Sequence, residues 1–232
     1  LFLILFALMS RFVFLSLRAD IGLLRERKPS SEIWNRRFYN FLVRNWRGSR
    51  GELPILQSRM STLAPLVVVA YVIVFSLFAF EMIKGMVAEW PSTLFGAHIF
   101  IGNIYIAWAG LAVLSIYLAK HFPSYDRVLG TQQLWDLGKL CLGFSMVWAD
   151  FLFCQFLIQW YGNLPVEVEW MGLRTRLEPW KWVAWITLST GFVVPFVLLL
   201  SRDLKKTPWA FTLTCLTILF GLWIENYLIM VR

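Results

Sequence analysis

The residues able to do chemistry are few, and each lies in or beside a long apolar run. They are Glu81, His98, Asp136, Lys139, Asp150 and Glu225. An ionised side chain at the centre of a membrane helix costs about 2.5–3.5 kcal/mol on insertion scales, so each one needs a reason to be there. Three of the acids share a depth. Glu81 lies 18 residues beyond Leu63, Asp150 lies 16 beyond Leu134, and Glu225 lies 17 beyond Pro208. At a rise of about 1.5 Å per residue, helices starting at those points carry all three carboxylates about 24–27 Å from one membrane surface, toward the other. A further helix descends from that far side, bringing His98 near its start with Asn103 and Tyr105 below it. Carboxylates and a histidine at one level in a low-dielectric bundle suit the uptake and release of protons. The plainer alternative is that Glu81 and Glu225 merely end their spans among lipid headgroups.

The stretch Gln132 to Tyr161 carries the densest polar pattern. At about 100° per residue, Gln132, Asp136, Lys139, Gly143, Asp150, Cys154 and Tyr161 form one stripe. A charged stripe on a membrane helix is expected to face protein or trapped water. Asp136 and Lys139 would form an inner entry pair for protons, or else cap the first turn and snorkel to headgroups. If spans four and six are neighbours, Asp150 and Glu225 are two like charges at one level, and the pair should share a proton.

The elements that must position these groups follow from composition. The chain of 232 residues is 59% hydrophobic and 16% charged, against about half and a quarter in a soluble domain. This composition defines an all-α, polytopic transmembrane bundle. Six spans are expected at 1–17, 63–83, 96–119, 134–161, 179–200 and 208–230, forming a single membrane domain. The opening LFLILFALMSRFVFLSL lacks a basic n-region and a small-residue cleavage site, so it reads as the inside of a helix in a fragment of a longer subunit. Lys and Arg number fifteen in the loops 18–60, 120–133 and 201–207, against five on the other side, which places those loops in the cytoplasm. Within 18–60, Ile33, Trp34, Phe38, Phe41 and Leu42 alternate with Arg36, Arg37, Arg44 and Arg47 as an amphipathic helix on the inner membrane surface. Trp34 and Phe38 should there touch lipid or the inner ends of spans. The segment 47–54 reads as a turn-rich hinge, 162–178 as an outer connection with belt tryptophans, and Pro195 as a kink.

Other chemistries leave no mark in the sequence. The net charge of +8 flanks membrane spans, so its partner is an anionic lipid surface and not nucleic acid. Cys141, Cys154 and Cys215 have no CxxC or CxxCH spacing and imply neither disulfides nor attached haem. His98 and His121 stand at opposite ends of one helix and cannot ligate one haem together. No nucleotide loop, zinc spacing or nucleophile motif is present. Any redox centre therefore belongs to partner subunits.

Four segments, D-L-G-K-L…F-S-M-V-W-A-D-F-L-F-C-Q-F-L-I-Q-W-Y-G-N-L-P (136–165), W-P-S-T-L-F-G-A-H-I-F-I-G (90–102), L-L-L-S-R-D-L-K-K (198–206) and G-L-W-I-E-N-Y-L-I-M (221–230), resemble the F subunit of bacterial alternative complex III. That family belongs to the NrfD-like, or polysulfide-reductase-type, membrane subunits. The resemblance covers most of the chain from about Arg59 onward. It implies a multi-pass subunit of the bacterial inner membrane, of about ten spans, in a quinol:electron-acceptor oxidoreductase. It also implies a quinone or menaquinol substrate, an NrfD-like paralogue beside the chain, and outer partners carrying c-type haem and iron–sulfur clusters. On this reading Asp136, Lys139, Asp150, Glu81 and Glu225 are candidates for a proton path, and His98 and Tyr161 for a quinone-facing surface. Asp150 stands where the family commonly has an aromatic residue, and Glu225 replaces a shorter acid. Two rivals remain: a proton-coupled secondary transporter, and a purely structural anchor of the complex.

Overall fold

The apolar runs form helices whose ends are set by glycine, asparagine and proline. A computed structural model describes residues 1–27, 37–44, 46, 48–86, 92–122 and 129–230. Its helices are α1 (Phe2–Arg27), α2 (Arg37–Leu42), α3 (Ser49–Phe78), α4 (Phe95–His121), α5 (Thr131–Gly162), α6 (Pro165–Arg176), α7 (Trp180–Leu188), α8 (Val194–Leu200), α9 (Arg202–Lys206) and α10 (Pro208–Met230). A π-helical turn, Ala79–Ile83, continues α3, and a second, Ser189–Val193, joins α7 to α8. Six stretches are long and apolar enough to cross a membrane: Phe2–Arg27, Ser49–Ile83, Phe95–His121, Thr131–Gly162, Trp180–Leu200 and Pro208–Met230. The chain is thus an all-α polytopic bundle.

Several expected boundaries move, each for a local reason. The first helix does not stop at 17 but runs to Arg27, because LRADIGLLRER keeps good helix formers on a half-buried face. Of the expected hinge 47–54, Arg47 lies outside the described residues and Gly48 turns the chain with a φ of 92° that only glycine adopts at no cost; helix resumes at Ser49. The outer connection 162–178 is mostly the helix α6. Asn163 closes α5 in the left-handed conformation, its N–H donating to the Gln159 carbonyl at 3.0 Å. Pro165 then opens α6, where its missing N–H costs nothing.

Contacts gather in two compact units, Leu1–Val74 and Phe75–Arg232. In the first, Leu42 and Val43 bury against Ile21, and Phe14 meets Phe41 at 6.0 Å between ring centroids. Phe38 is 59% and Phe41 62% exposed, so this surface helix presents two aromatics outward and packs Leu42 inward. Trp34 and the rest of 28–36 lie outside the described residues. Glu26 ends α1 by accepting from the Trp46 indole N–H at 2.9 Å and the Ser49 amide at 2.5 Å, which ties it to the start of α3. Arg18 pairs with Glu52 beside it.

The second unit holds the core. Tyr105, Ala109 and Ala112 of α4, Leu134, Cys141 and Trp148 of α5, Leu199 of α8, and Phe211, Cys215, Ile218 and Leu222 of α10 are buried together. On α4, α5 and α10 the buried positions follow one helical face, and many are Gly, Ala, Ser or Cys, which lets helices approach closely. The closest approach is at Gly221, where an added Cβ would lie 2.6 Å from the Gly191 amide nitrogen. Pro195 has no N–H to offer its fourth neighbour back, Gly191. The Tyr105 hydroxyl takes that place, donating to the Gly191 carbonyl at 3.1 Å. The expected disturbance at Pro195 therefore takes the form of a π turn whose loosened carbonyl is satisfied from α4.

Candidate functional site

The buried polar centre of the second unit is His98, Trp148 and Glu225, brought together from α4, α5 and α10. His98 Nε2 lies 2.5 Å from Glu225 Oε1, and the Trp148 indole N–H donates to Glu225 Oε2 at 3.1 Å. The two rings are 5.7 Å apart between centroids. His98 is 3% exposed and Glu225 8%, so both partners have left water. Each carboxylate oxygen then has one donor, as burial of a charged or polar group requires.

Small residues make this geometry. Trp148 is fully buried, and its ring lies against Gly191 and Gly102; a Cβ at those positions would come within 3.1 Å and 3.7 Å of it. Glycines thus give the indole its slot, and the slot aims Nε1 at Glu225. His98 Nδ1 is buried with no hydrogen-bond partner. Nε2 is thus the ring nitrogen that meets the carboxylate. Beside the pair is a cavity of about 10 Å³ lined by His98, Ile99, Gly102, Asn103, Ile106, Glu225 and Asn226. It has room on the order of one water and falls far below the roughly 300 Å³ of a small-ligand pocket. The cluster can hold and pass a proton, and the cavity that the described residues line beside His98 is smaller than a quinone ring.

The expected pairing of Asp150 with Glu225 is corrected. Both are on the predicted spans, but Asp150 is exposed, and among the described residues its polar contact is the thiol of Cys154 at 3.9 Å within the same helix. The whole polar stripe of α5 behaves likewise. The buried face of α5 is Leu134, Gly138, Cys141, Ser145, Trp148, Gln155 and Gln159. At about 100° per residue the stripe through Asp136, Lys139 and Asp150 lies roughly 180° from it. The expectation that the stripe packs on neighbouring helices fails within this chain, because small residues and Trp148 fill the inner face instead. Asp136 and Lys139 pair with each other at 2.6 Å and are 51% and 49% exposed. Lys139 also sits over the Trp135 ring at 4.3 Å. Such an exposed pair is worth about 0–1 kcal/mol in water. Tyr161 is 76% exposed and Glu81 is exposed on the π turn. Of the expected site residues, then, the structure joins His98 with Glu225 in the buried centre and Asp136 with Lys139 on the exposed face.

Reasoning from sequence missed Trp148, Gln155 and Gln159. The signal was available: they follow Cys141 and Ser145 at steps of three, four and seven, and an indole N–H inside a bundle needs an acceptor. At the opposite end of α5, Lys205 is 5% exposed, with its aliphatic stem on Gly138. Burial, with Arg202 and Lys139 nearby, holds the Lys205 ammonium below the usual lysine range. Arg174 of α6 is also buried; its Nε donates to the Leu228 carbonyl at 3.0 Å, fixing α6 to the end of α10. Burial lowers its proton affinity from the usual arginine value. Among the described residues no three His, Cys, Asp or Glu side chains converge as metal ligands would. No protein-family model and no curated protein sequence matches the chain.

Proposed function

We propose that this chain is a membrane subunit of a quinol-oxidising complex of alternative complex III type, and that His98 and Glu225 hold a proton within it. The observation that carries the reading is the buried His98–Glu225 pair, donated to by Trp148. Quinol oxidation releases protons, and an acid beside an imidazole inside a bundle is suited to accept one and pass it on. The resemblance of residues 90–102, 136–165, 198–206 and 221–230 to that subunit supplies the substrate class. In this reading c-type haem and iron–sulfur clusters reside in partner subunits of a bacterial inner membrane, and electrons do not pass through this chain.

Membership of a complex has its own support. Asp150 stands exposed within a membrane-crossing helix, on the face opposite the packed one. Left in lipid it would cost about 2.5–3.5 kcal/mol, so a neighbouring subunit or further helices are expected to cover it. The two π turns favour a second reading, a proton-coupled transporter, since interrupted helices line such transport paths. Purification of the chain from its native membrane decides between them. The first reading predicts co-purification with haem and iron–sulfur subunits and quinol-dependent reduction of an acceptor. A chain that purifies without redox partners and drives proton-coupled solute uptake in liposomes supports the transporter.

A further inference from the structure

A second polar site lies apart from the His98 cluster, at the far end of α5. There a cavity of about 480 Å³ is lined by Phe80 and Lys84 from the end of α3, Ser92 and Thr93 before α4, and Gln155, Ile158 and Gln159 of α5. Gln155 and Gln159 are one helical turn apart on the buried face of α5, 3% and 4% exposed. Buried amides normally have all their polar atoms paired. Here Gln155 Nε2, Gln159 Nε2 and Gln159 Oε1 have no partner, while Gln155 Oε1 accepts from the Ser92 hydroxyl at 3.3 Å. Two buried glutamines that line one cavity thus hold three unpaired atoms between them, which is costly unless a polar group reaches them.

The chemistry of the lining selects the occupant. Lys84 brings a positive charge; it is held over the Phe80 ring at 5.3 Å and has no carboxylate partner among the described residues. Among the described residues no carboxylate lines the cavity. The amide N–H groups of Gln155 and Gln159 and the Thr93 hydroxyl add further donors, so the site offers positive charge and donors to an anion. Gln159 Oε1 is the exception, an acceptor that needs a donor. Phe80 and Ile158 make the remaining wall apolar. An oxidised quinone has acceptors only and no charge for Lys84, and a quinol supplies a hydroxyl but again no charge.

We propose that this cavity binds the headgroup of a phospholipid that carries both a phosphate and a hydroxyl or ammonium group. Lys84 faces the phosphate, the amide N–H groups of Gln155 and Gln159 share its oxygens, and Gln159 Oε1 accepts from the headgroup hydroxyl or ammonium. The acyl chains leave along Phe80 and Ile158. This site is independent of the quinol reading, since it asks nothing of a redox partner.

The test is lipid titration of the purified full-length protein, in the assembly in which it is isolated, followed by native mass spectrometry. The probes are phosphatidylglycerol, which has phosphate and hydroxyls, phosphatidylcholine, which has no donor, and decylubiquinone. Wild type is expected to bind phosphatidylglycerol about tenfold or more tightly than phosphatidylcholine, the difference one hydrogen bond in a buried site makes. Lys84→Gln should lose about tenfold in phosphatidylglycerol affinity. Gln159→Leu, which keeps the side-chain bulk, should abolish the preference for phosphatidylglycerol. Lys181→Gln, away from the cavity, should leave both unchanged. If Lys84→Gln does not assemble, Gln159→Leu alone carries the test. Equal affinities for the two lipids, or unaltered phosphatidylglycerol binding in Gln159→Leu, overturn the proposal. So does decylubiquinone binding that Gln159→Leu abolishes while phosphatidylglycerol binding survives, which would assign the cavity to a quinone.

Discussion

Replacing His98 and Glu225 by leucine, singly and together, tests whether they are one unit. In Glu225→Leu, the His98 imidazole and the Trp148 N–H both lose their acceptor in a place that water does not reach. Each buried group left unpaired costs about 1–3 kcal/mol, so that variant should lose about 2–6 kcal/mol. In His98→Leu the carboxylate keeps only Trp148, and stranding a buried charge costs about 3–5 kcal/mol. The double variant strands only the Trp148 N–H and should lose about 1–3 kcal/mol, less than His98→Leu alone. The assay is equilibrium unfolding of the purified protein in mixed detergent micelles, followed by helical circular dichroism. A double-variant loss equal to the sum of the singles, within about 0.5 kcal/mol, would refute the pairing. The same cycle with Asp150→Leu in place of His98→Leu should be additive, because Asp150 lies on the opposite face of α5. Strong coupling there would restore the shared-proton pair of acids and remove the correction.

Gly221→Ala forces a Cβ against the Gly191 and Thr190 backbones and should destabilise by about 1–3 kcal/mol. Gly143→Ala meets nothing within 4 Å and should stay within about 0.5 kcal/mol of wild type or gain a little, by the same unfolding assay. Tyr105→Phe strands the Gly191 carbonyl that Pro195 leaves free and should cost about 1–3 kcal/mol; Pro195→Ala, which returns an N–H to that carbonyl, should reduce the loss. The Lys205 ammonium is held below its unfolded value of 10.5, so between the lowered folded value and 10.5 the unfolded chain binds more protons. Stability should therefore rise with pH through that window, and Lys205→Met should flatten the rise in unfolding midpoint.

The class of the protein and its spans were legible because membrane helices announce themselves by length and hydropathy. That His98 and Glu225 lie near each other followed from counting residues along their helices. Which way each side chain turns was not legible from polarity. The charges at 136, 139 and 150 suggested an inward face, yet the inner face of α5 is set by where another helix can come close. Gly138, Cys141 and Ser145 admit their neighbours, and the charges are carried to the opposite side. Glu225 turns inward because Gly221 and Leu222 on the same stripe do. The link between Pro195 and Tyr105 lies 90 positions apart in sequence and exists only once α4 meets the π turn. The 14-residue extension of the second span back to Ser49 was hidden by Gly48, Gly51 and Pro54, which read as a hinge although only Gly48 turns the chain.

The most direct test of the account is quinol-dependent acceptor reduction by the complex purified through this chain, wild type against Glu225→Gln. Glutamine keeps the size of the side chain, its one carbonyl oxygen can accept from Trp148 and its amide N–H can donate to the imidazole Nε2, but it cannot take a proton. The account predicts that the wild-type complex carries haem and turns over with quinol. It predicts that the Glu225→Gln complex assembles with the same haem content and turns over more slowly, by about 10²-fold or more, as when a proton acceptor is lost. Wild-type turnover in an assembled Glu225→Gln complex, or a purified complex with no quinol activity at all, would contradict it.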